Sequence, residues 1–248
     1  MDDHDPDTTA DETHASYDQH AERADEDHDD LWRTPWGDNP LQEHYAWPAT
    51  TDLLPDVEGA RVLDAGCGVG DHVEWFTDRG ATVVGVDVSE EAVAVARERQ
   101  GDRATFRQAD LTEPLEFADD GVFDVVVSNL VLDHIADLEP VFAEFERVLA
   151  DDGTLVVTMI HPMQFYLDAA EVTSYYDRTP VELGWEAGTV TSYHRPLGDI
   201  VTALTGADLH LDVLAEPEPD PGYAEHAAES WAVLDRPQIC CLRAVPVR

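Results

Sequence analysis

Residues 61–72 read RVLDAGCGVGDH, and the fold follows from how that stretch has to fold. Val62, Leu63 and Ala65 make a short apolar run, as expected of a buried strand. Gly66, Gly68 and Gly70 interrupt it, and Val73, Trp75 and Phe76 open an amphipathic run at once. The order is strand, tight loop, helix. Glycines lack a β-carbon, so the chain turns sharply and a ligand can approach its backbone, while the first amides of the new helix point into the same space. A small ligand with polar or anionic groups is the expected occupant. A dinucleotide fingerprint needs a further glycine at position 71, and Asp71 stands there, which disfavours a nicotinamide oxidoreductase.

Toward the C-terminus the same alternation continues. Residues 81–87 (ATVVGVD) read as a second strand, and Ser89 caps a helix whose first turn carries Glu90 and Glu91. Further strands are expected at 104–110, 123–130 and 154–160, with a helix over 138–149 closed by the Asp151, Asp152, Gly153 turn. Strands alternating with helices at this rhythm predict an α/β, doubly wound, Rossmann-like parallel sheet with helices on both faces. Residues 163–198 break the rhythm with scattered aromatics and are expected to be an insertion after strand 5, capping substrate over the sheet's carboxyl edge. A helix at 199–205, a strand at 209–215, a proline-rich acidic loop and a last strand at 238–245 complete the chain. In the other direction, residues 29–56 carry Trp32, Trp36, Tyr45 and Trp47 among prolines and read as an N-terminal helical lid, helical over about 39–54. Residues 1–28 hold few large apolar side chains and are expected to be a disordered acidic leader. One domain over 29–248 is the expectation.

Composition narrows the class. Fourteen basic residues, all arginine, face 54 acidic ones, for a formal net charge of -40 over 248 residues. Such self-repulsion is tolerable where salt screens it, so the chain reads as an acidic, halophilic, cytoplasmic protein. The charge argues against nucleic acid or an anionic membrane surface as partner. Three cysteines form no disulfide framework, and the adjacent Cys240 and Cys241 read as buried strand residues. His4, His14, His20 and His28 lack any metal-ligand spacing, so no metal is expected. No membrane-spanning stretch or signal peptide is read.

In an open parallel sheet, ligands bind beyond the carboxyl ends of the strands. Those ends carry Asp64, Asp87, Asp110, and Ser128 with Asn129. Asp87 is placed to accept from a ribose diol, and Asp110 from an adenine amino group. At this point the motifs VLDAGCGVGDH, VVGVDVSEEAVAVAR, FRQADLTEPLEF, residues 123–158 and SYHRPLGDIVTALTGADL, in order over roughly 57–215, resemble class I S-adenosylmethionine-dependent methyltransferases of the small-molecule group often labelled type 11. The resemblance implies a seven-stranded sheet with an antiparallel last strand, and S-adenosyl-L-methionine as cofactor. It implies that Asp64, Gly66 and Gly68 line the methionine part, with Cys67 and Gly70 in the same loop. Asp87 would hold the ribose, Val88 would pack on the adenine, Asp110 and Leu111 would flank the adenine edge, and Asn129 would lie near the sulfonium. Residues around Tyr17 resemble the family's opening aromatic segment.

Methyl transfer from a sulfonium is an in-line displacement that needs alignment and dryness more than a covalent intermediate. Where the acceptor must lose a proton, His161, His134 and His194 are the candidate bases, His161 first because it directly follows the fifth strand. An aromatic pocket of Trp36, Tyr45, Phe165, Tyr175 and Trp185 with few positive groups is expected, for a neutral or cationic small-molecule acceptor. Arg195 is read as structural. A second reading, a cofactor-binding protein that works by interaction without catalysis, stays open, as does a nicotinamide oxidoreductase at lower weight.

Overall fold

The computed structural model describes residues 13, 15–19, 21, 39–185, 188–220, 223 and 235–248. Its centre is a seven-stranded sheet built from β1 (Arg61–Ala65), β2 (Thr82–Asp87), β3 (Ala104–Gln108), β4 (Phe123–Asn129), β5 (Leu149–Ile160), β8 (Leu209–Ala215) and β9 (Ile239–Pro246). The order across the sheet is β3-β2-β1-β4-β5-β9-β8. All neighbours are parallel except at β9, which runs antiparallel to both β5 and β8. The order reverses direction beside β1, and that switch point opens a crevice beyond the strand tips.

Alternation along the strands sorts the core into two layers. Leu63 and Val126 face one side with Val141, Phe142, Phe145 and Val148 of α4 (Glu139–Val148) and Ile200 and Leu204 of α6 (Leu197–Gly206). Val62, Val125 and Val127 face the other with Val73 and Phe76 of α2 (Val73–Thr77) and Val93 and Ala96 of α3 (Glu90–Gln100). Each large side chain fully buried this way contributes about 1.5–3 kcal/mol. Ser89 caps α3 as expected, its Oγ accepting from Ala92 N at 3.0 Å. The helix after the glycine loop is only five residues long.

The lid region forms a π-helical turn (Gln42–Ala46) running into α1 (Trp47–Thr51), whose first turn accommodates Pro48 because amides there need no helical partner. The segment after β5 has more structure than its composition shows. It forms α5 (Pro162–Asp168) and a separate antiparallel hairpin of β6 (Thr179–Trp185) and β7 (Gly188–His194).

The leader is corrected in part. Residues 15–19 are helical, Ala21 is buried with Val69 and Ala92, and Tyr17 packs beside them. Thr191 N donates to Thr13 Oγ1 at 3.2 Å, Ser16 Oγ to Thr189 O at 2.9 Å, and Ser89 Oγ to Asp18 Oδ1 at 2.6 Å. A composition average misses this, because Tyr17 and Ala21, four residues apart on one helical face, suffice to pack against Val69 and Ala92. The remaining leader residues, its four histidines among them, and Trp36 lie outside the described residues. Among the described residues no helix is long and apolar enough to cross a membrane.

Candidate active site

The crevice starts where β1 ends. Gly66 has φ +87°, and its amide and that of Cys67 both donate to Val86 O, at 2.8 and 2.9 Å. A β-carbon at Gly66 would stand 2.3 Å from the Val131 side chain, so only glycine closes this turn. Asp87, at the tip of β2, then clasps the loop. Its Oδ2 accepts from Gly68 N at 2.8 Å and its Oδ1 from Ser89 N at 3.0 Å. Asp64 is 2% exposed at the tip of β1, and its Oδ2 is buried with no donor. Burial, reinforced by Asp87 and Asp71, pushes its carboxyl up to about 7. Beyond β3, Asp110 Oδ1 accepts from Thr112 N and Oγ1, closing a turn beside the buried Leu111 and the half-buried Val88.

Two expected cofactor contacts are corrected at the side-chain level. The Cys67 thiol faces the core against Gly85, where a β-carbon would lie 2.9 Å from its Sγ. The Asn129 amide is spent within the protein: Oδ1 accepts from Thr50 Oγ1 at 3.1 Å and Nδ2 donates to Gln42 Oε1 at 2.7 Å. This network ties the lid to the tips of β4 and β5, since Thr50 Oγ1 also lies 2.7 Å from Thr158 Oγ1. Leu130 follows in the left-handed region at φ +56°, a conformation costing about 1–2 kcal/mol, held by its amide on Thr158 O at 2.8 Å.

Next to this crevice lies a cavity of about 380 Å3. Its walls come from the leader (Tyr17), the lid (Leu41, Gln42), the segment after β4 (Leu130, Asp133, His134), α5 with the end of β5 (Ile160, Gln164, Phe165) and the hairpin (Val181, Leu183, Ser192). Tyr17 stands between crevice and cavity. Its ring meets His134 edge-on at 5.6 Å, and its hydroxyl is raised well above the usual range by burial and by the Asp87 and Asp133 carboxylates. His134 Nδ1 lies 2.8 Å from Thr191 O, and a carbonyl only accepts, so Nδ1 carries the proton and Nε2 the lone pair. Burial lowers this ring to about 4, despite the Thr191 hydrogen bond, and keeps it neutral at pH 7.

Of the other sequence-derived residues, Phe165 lines the cavity and four do not. His161 caps α5, its Nδ1 accepting from Met163 N at 3.1 Å, while Nε2 stands 3.0 Å from Glu216 Oε1. Burial lowers this ring, with Glu216 opposing. His194 donates through Nε2 to Tyr175 O at 3.1 Å and packs edge-on against Phe165 and Tyr175, pinning the insertion. Tyr45 is buried against Tyr223, with its hydroxyl donating to Pro217 O at 2.7 Å. The Tyr175 hydroxyl accepts from Leu197 N at 3.1 Å. In all four, a polar group on an aromatic or imidazole ring holds backbone rather than ligand. Arg195 is structural as read, donating to Ile135 O. The Trp185 side chain lies outside the described residues. Gln42 and Gln164 were missed, because nothing in their spacing marks them, and Asp133, which follows the fourth strand beside His134, was given no role. His72 was missed too: its ring stacks on Trp47 at 3.8 Å and 6°, joining lid to loop, and burial lowers it to about 4.

Comparison with known proteins bears on the central segment. Residues 63–157 match the family model described as a methyltransferase domain. This segment is similar to methyltransferase domains. A methyltransferase of Streptomyces halstedii is 38% identical over 143 residues, covering 54% of this chain and 50% of its own length. A malonyl-[acyl-carrier protein] O-methyltransferase of Enterobacter lignolyticus is 37% identical over 123 residues, covering 49% and 47%. The chain thus spans about half the length of these two relatives. The solved S-adenosylmethionine-dependent methyltransferase of Mesorhizobium loti is 26% identical, with a TM-score of 0.67 over 82% of this chain and 99% of that one. The match ends inside β5, so the leader, the whole lid, the hairpin and β8–β9 lie outside the matched segment. The loop fits S-adenosylmethionine as its cofactor on its own terms. Asp64 Oδ2 is a buried acceptor in want of a donor, and Asp64, Asp71 and Asp87 gather negative charge where an ammonium and a sulfonium would come.

Proposed function

We propose that the protein transfers a methyl group from S-adenosylmethionine to a small-molecule acceptor held in the cavity under α5 and the β6–β7 hairpin. The observation that carries this is the leader turn at Tyr17, which lines the cavity and meets His134 edge-on at 5.6 Å while the adjacent Asp18 accepts from Ser89 Oγ at 2.6 Å, two residues past Asp87. Crevice and cavity therefore share one wall, as a donor and an acceptor that must meet in line require. In this reading Asp64, Gly66, Gly68 and Gly70 hold the methionine end, Asp87 the ribose, and Val88, Asp110 and Leu111 the adenine. Asn129, fixed by Thr50 and Gln42, stiffens the wall nearest the sulfonium. The cofactor supplies a methyl group whose bond to sulfur breaks, leaving the electron pair on sulfur, as the acceptor's lone pair bonds to carbon.

The protein's own work is alignment, exclusion of water and proton removal. His161 is not on the cavity wall; the groups there able to take a proton include Asp133 and His134. The Thr191 carbonyl orients the His134 ring, and its Nε2 lone pair belongs to a residue that lines the cavity. The net charge of -40 with arginine as the only basic residue supports a salt-adapted, cytoplasmic protein. Calorimetry with S-adenosylhomocysteine and with NADH, in high salt, tests the cofactor. Binding of NADH alone overturns the reading. Tight S-adenosylhomocysteine binding, with no labelled methyl passing to any small molecule of a metabolite extract, favours the non-catalytic alternative.

A further inference from the structure

The polar groups of the cavity are one-sided. Among the described residues its wall carries Asp133, Asp168, Glu171 and Glu182 and no arginine. The acid excess of the whole chain accounts for Glu171 and Glu182, which are exposed and stay solvated. It does not account for Asp133, which is 3% exposed. Water is what makes a surface carboxylate inexpensive, and a buried one is costly unless a cation or donors answer it. Asp168 is answered: Arg236 Nη2 donates to both its oxygens, at 2.8 and 2.7 Å, and Gln164 Nε2 donates to it as well. Asp133 Oδ2 accepts from Ile160 N at 2.9 Å, and the charge of the nearby Arg195, whose Nη2 donates to Ile135 O, offsets its burial only in part. Gln164 is buried in the same wall with its Oε1 lacking any donor. Asp133, the Gln164 carbonyl and His134 Nε2 are all acceptors, and around them stand Leu130, Ile160, Phe165 and Leu183.

The geometry points to a protonated amine on an apolar body as the acceptor substrate this cavity takes, with Asp133 as the residue that sets the preference. The inference rests on the methyl-transfer reading. An ammonium donates to the carboxylate on entry and offers no lone pair until it loses a proton. The Asp133 carboxylate takes that proton, the freed nitrogen lone pair forms the bond to the methyl carbon, and the carbon–sulfur pair leaves on sulfur. Charge balances: the ammonium's proton neutralises the Asp133 carboxylate, and the sulfonium charge ends on the methylated amine, which leaves as an ammonium. A carboxylate or phosphate acceptor would meet acceptors only, at a cost in both charge and hydrogen bonds.

The test uses the full chain saturated with S-adenosylhomocysteine and three probes of one shape: 2-phenylethylamine, 2-phenylethanol and phenylacetate, followed by calorimetry. The amine is expected to bind about tenfold or more tighter than the alcohol, with phenylacetate weakest. Phenylacetate or the alcohol binding as tightly as the amine overturns the inference, and this arm needs no variant. Asp133→Asn is expected to bring amine and alcohol within about twofold of each other while leaving the alcohol's affinity in place. A merely structural role would weaken both probes alike, and that result also overturns it. Glu171→Gln combined with Glu182→Gln keeps the buried groups intact and is expected to shift the amine by less than about threefold. Loss of the preference there would assign it to the rim and sink the role of Asp133. S-adenosylhomocysteine affinity, measured first, separates the two readings: without it the methyl-transfer reading fails, whatever the probes show.

Discussion

The two sides of the crevice are made in different ways. The cofactor side is contiguous: Asp64 to Ser89 spans two strands and the loop between them, and its hydrogen bonds run mostly from backbone to backbone or from backbone to Asp87. The acceptor side is assembled from the whole chain. Ser16 reaches Thr189 and Thr191 reaches Thr13, across 173 and 178 residues, and the lid, the turn after β4, α5 and the hairpin meet between them. A site made by backbone needs particular conformations, so it leaves a spaced signature. A site made by packing needs only that the right surfaces meet, and leaves none.

The largest expected effect bears on the contiguous side. Asp87→Ala removes an ionised acceptor from two amides, each such bond worth about 1.5–3 kcal/mol. S-adenosylhomocysteine affinity by calorimetry is expected to fall about 100-fold. Asp110→Ala opens only an exposed turn and is expected to cost about tenfold or less. Equal losses would mean that Asp87 is one contact among several rather than the clasp.

The next bears on the join between the sides. Tyr17→Ala empties the wall shared by crevice and cavity, so cofactor affinity is expected to drop about tenfold. Limited proteolysis should then cleave the leader as readily with S-adenosylhomocysteine as without it, whereas in the wild type the ligand protects it. Unchanged affinity and protection would show that the leader docks without serving the crevice.

What the sequence disclosed follows the same division. The parallel alternation of strands and helices and Ser89's cap were legible because each is local or follows from chain alternation, and the antiparallel last strand came with the family resemblance. The hairpin was not: β6 alternates Val181 and Leu183 with Pro180, Glu182 and Gly184 over a short run only, and β7 buries Val190, Thr191 and Ser192 in succession, which hides its period. His161 illustrates the limit within a correctly placed element. It does follow the fifth strand, yet at that position a histidine serves equally as an N-cap, and the choice depends on Met163 N and Glu216, which no spacing reveals. His134 became the better-placed histidine only once the hairpin brought Thr191 to its ring.

Acid and base buried on the two sides oppose each other, which gives a pH test. Asp64 and Asp133 are raised from 3.8 to about 7, chiefly by burial, so the folded state holds protons that the unfolded state releases between those values. Their stabilising contribution is complete at low pH and is lost as pH rises through about 7. His72 and His134 are lowered from 6.5 to about 4, so the unfolded state binds the extra protons, and stability is lost as pH falls from 6.5 to 4. Between pH 4 and 6.5 the two pairs largely cancel. Asp64→Asn is therefore expected to gain on the wild type steadily as pH is raised from 4 to 7, by thermal melts in constant salt. His72→Gln is expected to gain on it as pH is lowered from 6.5 to 4. A difference flat with pH in either variant would mean that side titrates near its ordinary value.

The smallest expected effect separates aromatic packing from ligand contact on the acceptor side. Tyr175 belongs to the insertion, but its hydroxyl accepts from Leu197 N, the first amide of α6, and its ring stands edge-on to Tyr166, Tyr176 and His194. Tyr175→Phe keeps the ring and removes one hydrogen bond, a loss of about 0.5–1.5 kcal/mol. The amide left behind is the first of a helix, where amides lack intrahelical partners and water can replace the hydroxyl, so the lower end is expected. In a domain of this size that is a fall in Tm of about 1–4 °C. Affinity for S-adenosylhomocysteine and for 2-phenylethylamine should not move, because the hydroxyl faces α6 rather than the cavity. A change in amine affinity with no change in Tm would return Tyr175 to the substrate wall and redraw the boundary between the residues that hold the insertion and those that hold the acceptor.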